Sequence, residues 1–231
     1  MRVEGRQFLI VDADDTLWEN NIYFERAFDE FVEYLAHSTM TPREVRDVLH
    51  EIEHANIQIH GYGSLNFGRN MAECYRHLAE REIREDDLET VMGFARRILE
   101  CPMEVIPGVR ETLEYLAPRH DLTLFTKGHP EEQKLKIDRS GLGVYFAHTA
   151  IVKEKDAAAY RALVAERSMD ASRTWMIGNS PKSDINPALE AGLNAVFVPH
   201  AFTWALEKTD LLEGPGHLLK VEEFEELKTW F

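Results

Sequence analysis

The sequence predicts an α/β protein in which a helical block interrupts a parallel sheet directly after its first strand. From residue 107 onwards, short runs of branched apolar residues alternate with amphipathic helical segments. This alternation is typical of a parallel sheet with helices on its faces. Residues 22–100 instead carry apolar side chains at helical spacing without a strand signal, which indicates an inserted helical region.

The first strand is predicted at Phe8–Val11, a short branched run that ends at aspartates. The helical block follows, and Thr41 to Glu44 match a capping box with proline at the first helical position. The block is expected to contain helical segments at 22–37, from 41, at 67–78 and at 88–99.

Strands and helices alternate in the second half of the chain. We expect helices at 109–116, 130–140, 156–168 and 184–192, and strands at 121–126, 145–152, 174–178 and 195–199. The acidic tail 221–231 is predicted to form an amphipathic helix. These patterns predict an α/β core of residues 1–18 and 105–231, with a helical domain of residues 19–104.

The charge balance restricts the classes of partner. The 231 residues include 41 acidic and 26 basic side chains, for a formal charge of −15. Nucleic acids and anionic membranes both require a basic surface, so neither is expected as a partner. An anionic substrate would need a locally positive site, and a bound cation could supply it.

Composition also indicates a compartment. The two cysteines, Cys74 and Cys101, do not suggest a disulfide framework, which favours a reducing environment. The N-terminal residues lack a signal-peptide pattern, and no run approaches the ~18 apolar residues of a membrane span. We therefore expect a cytoplasmic protein.

Polar residues follow four of the predicted strands. Ligands of open parallel sheets bind beyond the carboxyl ends of the strands, where these residues would lie together. Each group alone would be an ordinary turn or solvated surface, but their arrival at successive strand ends favours a shared site. They are Asp12 and Asp14, Thr126 with Lys127, Lys153 and Lys155, and Asn179 to Asp184.

This arrangement resembles the haloacid dehalogenase-like hydrolase superfamily over nearly the whole chain. Residues 12–16 match its Asp-x-Asp-x-Thr motif, Thr126 its second motif, and residues 178–184 its acidic fourth motif. The resemblance implies a Rossmann-like parallel sheet core with an inserted helical cap of the C1 type. It also implies a phosphatase-type enzyme.

The third motif of that superfamily is a lysine before a helix. Lys155 is favoured because its spacing to Tyr160 fits relatives better, and Lys153 is the alternative.

The resemblance implies a role for each motif residue. Asp12 would attack phosphorus, and Asp14 would act as general acid and base. Phosphate would be held by Thr126, Lys127 and Lys155, and Mg²⁺ by Asp12, the backbone carbonyl of Asp14, Asn179 and Asp184. The cation would offset the repulsion among carboxylates crowded at one strand end. Asp15 has no role in this scheme and is expected to make a turn hydrogen bond.

Asn179 departs from the superfamily pattern, because it replaces the first acid of the fourth motif. An amide oxygen can ligate a hard cation but supplies no charge. We therefore expect a weaker magnesium site than in relatives with two acids in this loop.

The leading interpretation is a Mg²⁺-dependent phosphomonoester hydrolase acting on a small phosphorylated metabolite. A phosphomutase and a catalytically silent phospholigand-binding relative are the alternatives. A dehalogenase is disfavoured because its reaction has no leaving-group oxygen for Asp14 to protonate. The sequence leaves nucleotide monophosphates and sugar phosphates open as substrates, and monomer and dimer open as assembly states.

One competing motif lies in the helical block. His50, Glu51 and His54 match the zinc-protease pattern, with His60 as a third candidate ligand. On a continuous helix His60 would point away from the other two, so polar residues on a helix are the favoured reading. The glycine-containing stretch 61–68 could be a specificity loop or a linker, and His200 and Trp204 could line the cleft or pack at the surface.

Overall fold

The computed structural model describes residues 3–214 and 216–231. The chain divides into two compact units, one of Met1–Glu19 with Met103–Phe231 and one of Asn20–Pro102. Among the described residues, no helix is both long and apolar enough to cross a membrane.

The described strands are β1 (Phe8–Val11), β2 (Asp121–Lys127), β3 (His148–Val152), β4 (Thr174–Gly178), β5 (Asn194–Phe197) and β6 (Leu218–Lys220). They form one sheet in the order β3-β2-β1-β4-β5-β6, and all neighbouring strands run parallel. The predicted Rossmann-like α/β fold is confirmed.

The described α-helices are α1 (Asn21–Leu35), α2 (Pro42–His60), α3 (Ser64–Leu78), α4 (Glu85–Arg96), α5 (Val109–Leu116), α6 (Pro130–Ser140), α7 (Ala157–Glu166), α8 (Asn186–Glu190) and α9 (Leu227–Trp230). The first four belong to the Asn20–Pro102 unit, and the others belong to the unit that contains the sheet.

Both faces of the sheet are buried. Successive side chains of a strand point to opposite faces, so the residues of β1 join two different clusters. On β1, Leu9 and Val11 join a cluster with residues of α5 and α9. Ile10 instead joins a cluster with residues of α7 and α8. This two-sided burial explains why the strand is apolar without alternation.

The helical unit has a core of its own, which includes Phe31, Leu49, Met71 and Tyr75. Its second helix begins with the predicted capping box. Thr41 Oγ1 accepts a hydrogen bond from the Glu44 backbone N–H at 3.3 Å, and Glu44 Oε2 accepts one from the Thr41 N–H at 2.7 Å.

Several predicted bounds differ from the structure. The strand predicted at 145–152 begins at His148, because Gly143–Tyr145 forms a 3₁₀ turn. The helix predicted at 184–192 is preceded by a π-helical turn, Pro181–Ile185. The tail is a 3₁₀ turn followed by the short α9, and β6 was not predicted since its three residues are only partly buried or exposed.

Candidate active site

The carboxyl ends of β1, β2 and β4 meet at one edge of the sheet. Val11 of β1 lies opposite Leu124 of β2 and Ile177 of β4. The Asp12 N–H then donates to the carbonyl of Ile177 at 2.9 Å, which carries the pairing one residue beyond β1. Asp12 is therefore fixed at the edge where ligands of parallel sheets bind.

A tight turn follows Asp12 and brings Thr16 back against it. The Leu17 N–H donates to the Ala13 carbonyl at 2.8 Å, and Asp15 adopts a left-handed conformation with φ of 59°. Thr16 Oγ1 lies 3.0 Å from Asp12 Oδ2. Asp15 thus has the turn position expected of it, and its N–H donates to the Trp18 carbonyl.

Lys155 is the lysine that contacts the first-motif aspartate. Its ammonium donates to Asp12 Oδ1 and to Asp184 Oδ1, the latter at 2.8 Å, and its side chain is 1% exposed. Lys153 is exposed. Burial alone would lower the pKa of Lys155, but Asp12 and Asp184 raise it above its usual value. Lys155 is therefore a buried cation between two carboxylates.

The fourth-motif loop turns Asp184 towards Asp12. In the π-helical turn, the Ser180 N–H donates to Asp184 Oδ2 at 2.9 Å. Gly178 leaves the space for this carboxylate, because a Cβ there would overlap it. Burial and the charge of Asp12 raise the pKa of Asp184 to about 7, against the lowering effect of Lys155. Such crowding of carboxylates favours a bound cation.

Asn179 is held at both ends of its amide. Its Nδ2 donates to Thr203 Oγ1 at 2.9 Å, and its Oδ1 lies 3.3 Å from Thr16 Oγ1. The amide oxygen therefore lies beside the hydroxyl that also contacts Asp12.

Four side-chain hydrogen bonds surround the carboxylate of Asp14. Lys136 Nζ lies 2.9 Å from Oδ1 and 2.8 Å from Oδ2, while Gln133 Nε2 and Trp18 Nε1 each donate at 2.8 Å. Burial would raise the pKa of Asp14, but Lys136, Gln133 and Trp18 together outweigh burial and lower that pKa below its ordinary value. Asp14 is thus an ionised, oriented carboxylate.

Sequence reasoning missed Lys136 and Gln133. Both lie on α6, three residues apart, which places them on one face of the helix. That spacing, directly after the strand that carries Thr126, is the signal in the sequence that could have identified them.

Lys127 is bound by groups other than Asp12. Its ammonium donates to Glu207 Oε1 at 2.6 Å and to Ser183 Oγ at 2.8 Å. Glu207 also accepts from Ser180 Oγ at 2.6 Å. Lys127 therefore connects β2 to the fourth-motif loop through a buried carboxylate. Thr126, next to it at the carboxyl end of β2, is 1% exposed.

The zinc-protease-like motif of His50, Glu51 and His54 does not form a metal cluster in the described part of the chain. There, the group of acidic, histidine or cysteine residues close enough to share an ion is Asp15, Glu19 and His200. His200 Nε2 lies 3.2 Å from Glu19 and its Nδ1 lies 3.7 Å from Asp15, as expected for an imidazole between two carboxylates. In the stretch 61–68, α3 already begins at Ser64.

The oxygen atoms at this edge suit a hard divalent cation. Carboxylates of Asp12 and Asp184 and the amide oxygen of Asn179 are gathered there. Mg²⁺ prefers oxygen ligands of this kind. The donor set therefore fits the cation that the motifs imply.

Comparison with known proteins identifies the class. The model of the haloacid dehalogenase-like hydrolase family matches residues 8–192, and the chain belongs to this family of hydrolases. None of the curated proteins matches the chain.

Solved structures support the same fold. A haloacid dehalogenase-like family hydrolase from Xanthomonas campestris is 30% identical, with a TM-score of 0.85 over 99% of this chain and 92% of that one. A putative hydrolase of the family from Bacillus subtilis, bound to magnesium, is 15% identical (TM-score 0.68; 98% of both chains). A 2-haloacid dehalogenase from Pseudomonas syringae is 21% identical (TM-score 0.60; 97% of both chains).

Proposed function

We propose that this hydrolase is a cytoplasmic, Mg²⁺-dependent phosphatase that cleaves a small phosphorylated metabolite through an aspartyl-phosphate on Asp12. The observation that carries the proposal is Asp14, an oriented carboxylate two residues after the nucleophile. Cleavage of a phosphate ester produces an alkoxide that needs a proton. Cleavage of a carbon–halogen bond releases a halide that needs none.

In the first step, a carboxylate oxygen of Asp12 attacks phosphorus, and the bond from phosphorus to the leaving oxygen breaks. Asp14 gives its proton to that oxygen, so the product leaves as an alcohol. Lys136 favours the ionised form of Asp14 in the free protein. The negative charge of a bound phosphate ester opposes this effect and favours the protonated form that the step requires.

In the second step, Asp14 is a carboxylate and accepts a proton from water. The resulting hydroxide attacks the phosphorus of the aspartyl-phosphate, inorganic phosphate leaves and Asp12 is regenerated. Asp14 again carries the proton that the next cycle uses, so the overall reaction consumes one ester and one water.

Thr126 and Lys155 are proposed to hold the phosphoryl oxygens, where positioned donors stabilise the developing charge. Mg²⁺ would be held by Asp12, the backbone carbonyl of Asp14, Asn179 and Asp184, and would supply positive charge that reduces repulsion between Asp12 and phosphate. Lys127 is proposed as a further phosphate contact, and in this structure its ammonium binds Glu207 and Ser183. The Asn20–Pro102 unit is proposed to act as the cap that selects the substrate.

Hydrolysis of p-nitrophenyl phosphate with Mg²⁺ tests the proposal, with halide release from a 2-haloacid as the competing assay. We expect phosphate release that stops on chelation and returns with added Mg²⁺, and no halide release. Halide release without phosphatase activity would assign the protein to the dehalogenases. Transfer of phosphate to a second hydroxyl of a sugar phosphate, with little free phosphate, would indicate a mutase.

A further inference from the structure

We infer that Thr203 is a positioning residue that orients the Asn179 amide, so that this site is built for an amide and not for a second carboxylate. The inference rests on the magnesium site of the proposed function, and it concerns a residue outside the four motifs. Thr203 lies in the segment after β5, and its side chain is buried beside Asn179.

The hydrogen bonds of the Thr203 hydroxyl determine which end of the amide faces it. A hydroxyl has one proton to donate. The carbonyl of His200 can only accept, and it lies 3.0 Å from Thr203 Oγ1, so the proton is used there. Towards Asn179 the hydroxyl therefore acts as an acceptor, and the group 2.9 Å away must be the donating NH₂ of the amide.

This assignment places the amide oxygen beside Thr16, whose hydroxyl also contacts Asp12. Asn179 Oδ1 lies 3.3 Å from Thr16 Oγ1, whose single proton also has Asp12 Oδ2 at 3.0 Å as an acceptor. The Asp12 oxygen is both nearer and charged, so it is the stronger competitor for that proton. Asn179 Oδ1 then keeps its lone pairs available beside the Thr16 hydroxyl, which contacts Asp12.

The backbone of Asn179 is fixed as well. Its N–H donates to Thr16 Oγ1 at 3.2 Å, so the Thr16 hydroxyl contacts both the backbone and the side-chain amide of Asn179. Thr203 supplies the contact that selects one of the two amide orientations. Partners of this kind, which orient a metal ligand without touching the metal, typically change metal affinity by about 10–100-fold when they are removed.

A carboxylate at position 179 would meet the same hydroxyl oxygen. Two acceptors would then face each other unless Thr203 gave up its bond to His200. The extra negative charge of Asn179→Asp is therefore opposed by the loss of this hydrogen bond. Removal of the Thr203 hydroxyl should therefore change the Mg²⁺ affinity by different amounts with asparagine and with aspartate at position 179.

The test is a double-mutant cycle of Asn179→Asp and Thr203→Val, read by calorimetric Mg²⁺ titration of chelator-stripped protein. With asparagine at 179, we expect Thr203→Val to weaken Mg²⁺ binding about 10-fold. With aspartate at 179, the same change should leave Mg²⁺ binding unchanged or tighter. Thr203→Ser keeps the hydroxyl and is the matched control, with affinity expected within about 3-fold of the parent protein.

Thermal unfolding of the four metal-free proteins gives a second readout that does not depend on Mg²⁺. Thr203→Val should lower the Tm by about 2–4 °C with asparagine at 179, and by less with aspartate there. The inference would be overturned if Thr203→Val changed the Mg²⁺ affinity and the Tm equally with asparagine and with aspartate at position 179, or changed neither quantity. A parent protein that binds no Mg²⁺ would refute the metal site of the proposed function, while the unfolding cycle would still report on Thr203 and Asn179.

Discussion

One lysine contacts both oxygens of the carboxylate that lies two residues after the proposed nucleophile. Lys136 Nζ is 2.9 Å from Oδ1 and 2.8 Å from Oδ2 of Asp14, across 122 residues of sequence. Gln133 and Trp18 each add one neutral donor. Asp14 therefore has a fixed orientation, which a general acid and base needs in order to reach the leaving oxygen.

We expect Lys136→Met to lower kcat/KM about 10-fold or more for phosphate esters with poor leaving groups, because a misoriented general acid loses much of its effect in the first step. p-Nitrophenyl phosphate should be affected much less, since its leaving group departs without full protonation. The measurement is kcat/KM, which reports the first step, for a series of esters that differ in the pKa of the leaving alcohol.

The matched control for this series is Lys134→Met, which removes an exposed lysine from the same helix. A loss of equal size for all leaving groups would show that Lys136 does not act through Asp14. Asp14→Asn should show the same dependence on the leaving group in kcat/KM, with a loss of roughly 10²–10⁴ for poor leaving groups, while kcat should fall for every ester because the second step also loses its base.

The two candidate lysines of the third motif should behave differently. Lys155→Met leaves the carboxylates of Asp12 and Asp184 buried without their shared cation, so kcat/KM should fall by about 10²–10³. Lys153→Met alters an exposed side chain and should leave kcat/KM within a few-fold. Steady-state kinetics of both variants checks this, and the reverse ranking would move the assignment to Lys153.

Glu53 gives the helical unit a pH-dependent stability. Its side chain is buried, its Oε2 has no hydrogen-bond partner among the described residues, and burial raises its pKa from 4.5 to about 7. The folded state therefore holds this proton more tightly than the unfolded state. The resulting stabilisation is present below pH 4.5 and is lost as the pH rises towards 7.

At pH 8, Glu53→Gln should therefore raise the free energy of unfolding by about 2–3 kcal/mol over the parent protein, and at pH 4.5 it should change it little. Calorimetric unfolding across this pH range is the measurement. Glu51→Gln on the exposed side of the same helix is the control. If Glu53→Gln and the parent protein differed by the same free energy of unfolding at pH 4.5 and at pH 8, Glu53 would not be the group that titrates.

The fold was largely predictable because its signals are local. β1 is a contiguous apolar run, and the helical insertion repeats its apolar residues every three or four positions. The π-helical turn before α8 was not predictable, because a hydrogen-bond shift of one residue leaves no distinct pattern in Pro181–Ile185. The short β6 likewise has too few residues for a periodic signal.

In the candidate site, too, the sequence indicates the residues with a local signal and not the contacts between distant residues. Asp12 and Asp184 follow strands and Thr126 lies at the end of one, so the sequence could indicate them one at a time. Contacts between distant residues leave no such signal. Gln133 lies 119 residues from Asp14, and Glu207 lies 80 residues from Lys127, so only the folded chain shows that these pairs meet.

The central claim is that phosphate is transferred to Asp12, and capture of that intermediate tests it most directly. In Asp14→Asn, p-nitrophenyl phosphate should still react in the first step, while the second step is slowed because the base that activates water is lost. After rapid acid quench, mass spectrometry of the peptide around residues 8–18 should show one phosphoryl group on Asp12. The double variant Asp12→Asn/Asp14→Asn should show none. An unmodified Asp12 in the single variant under conditions of a measurable first step would contradict the covalent mechanism.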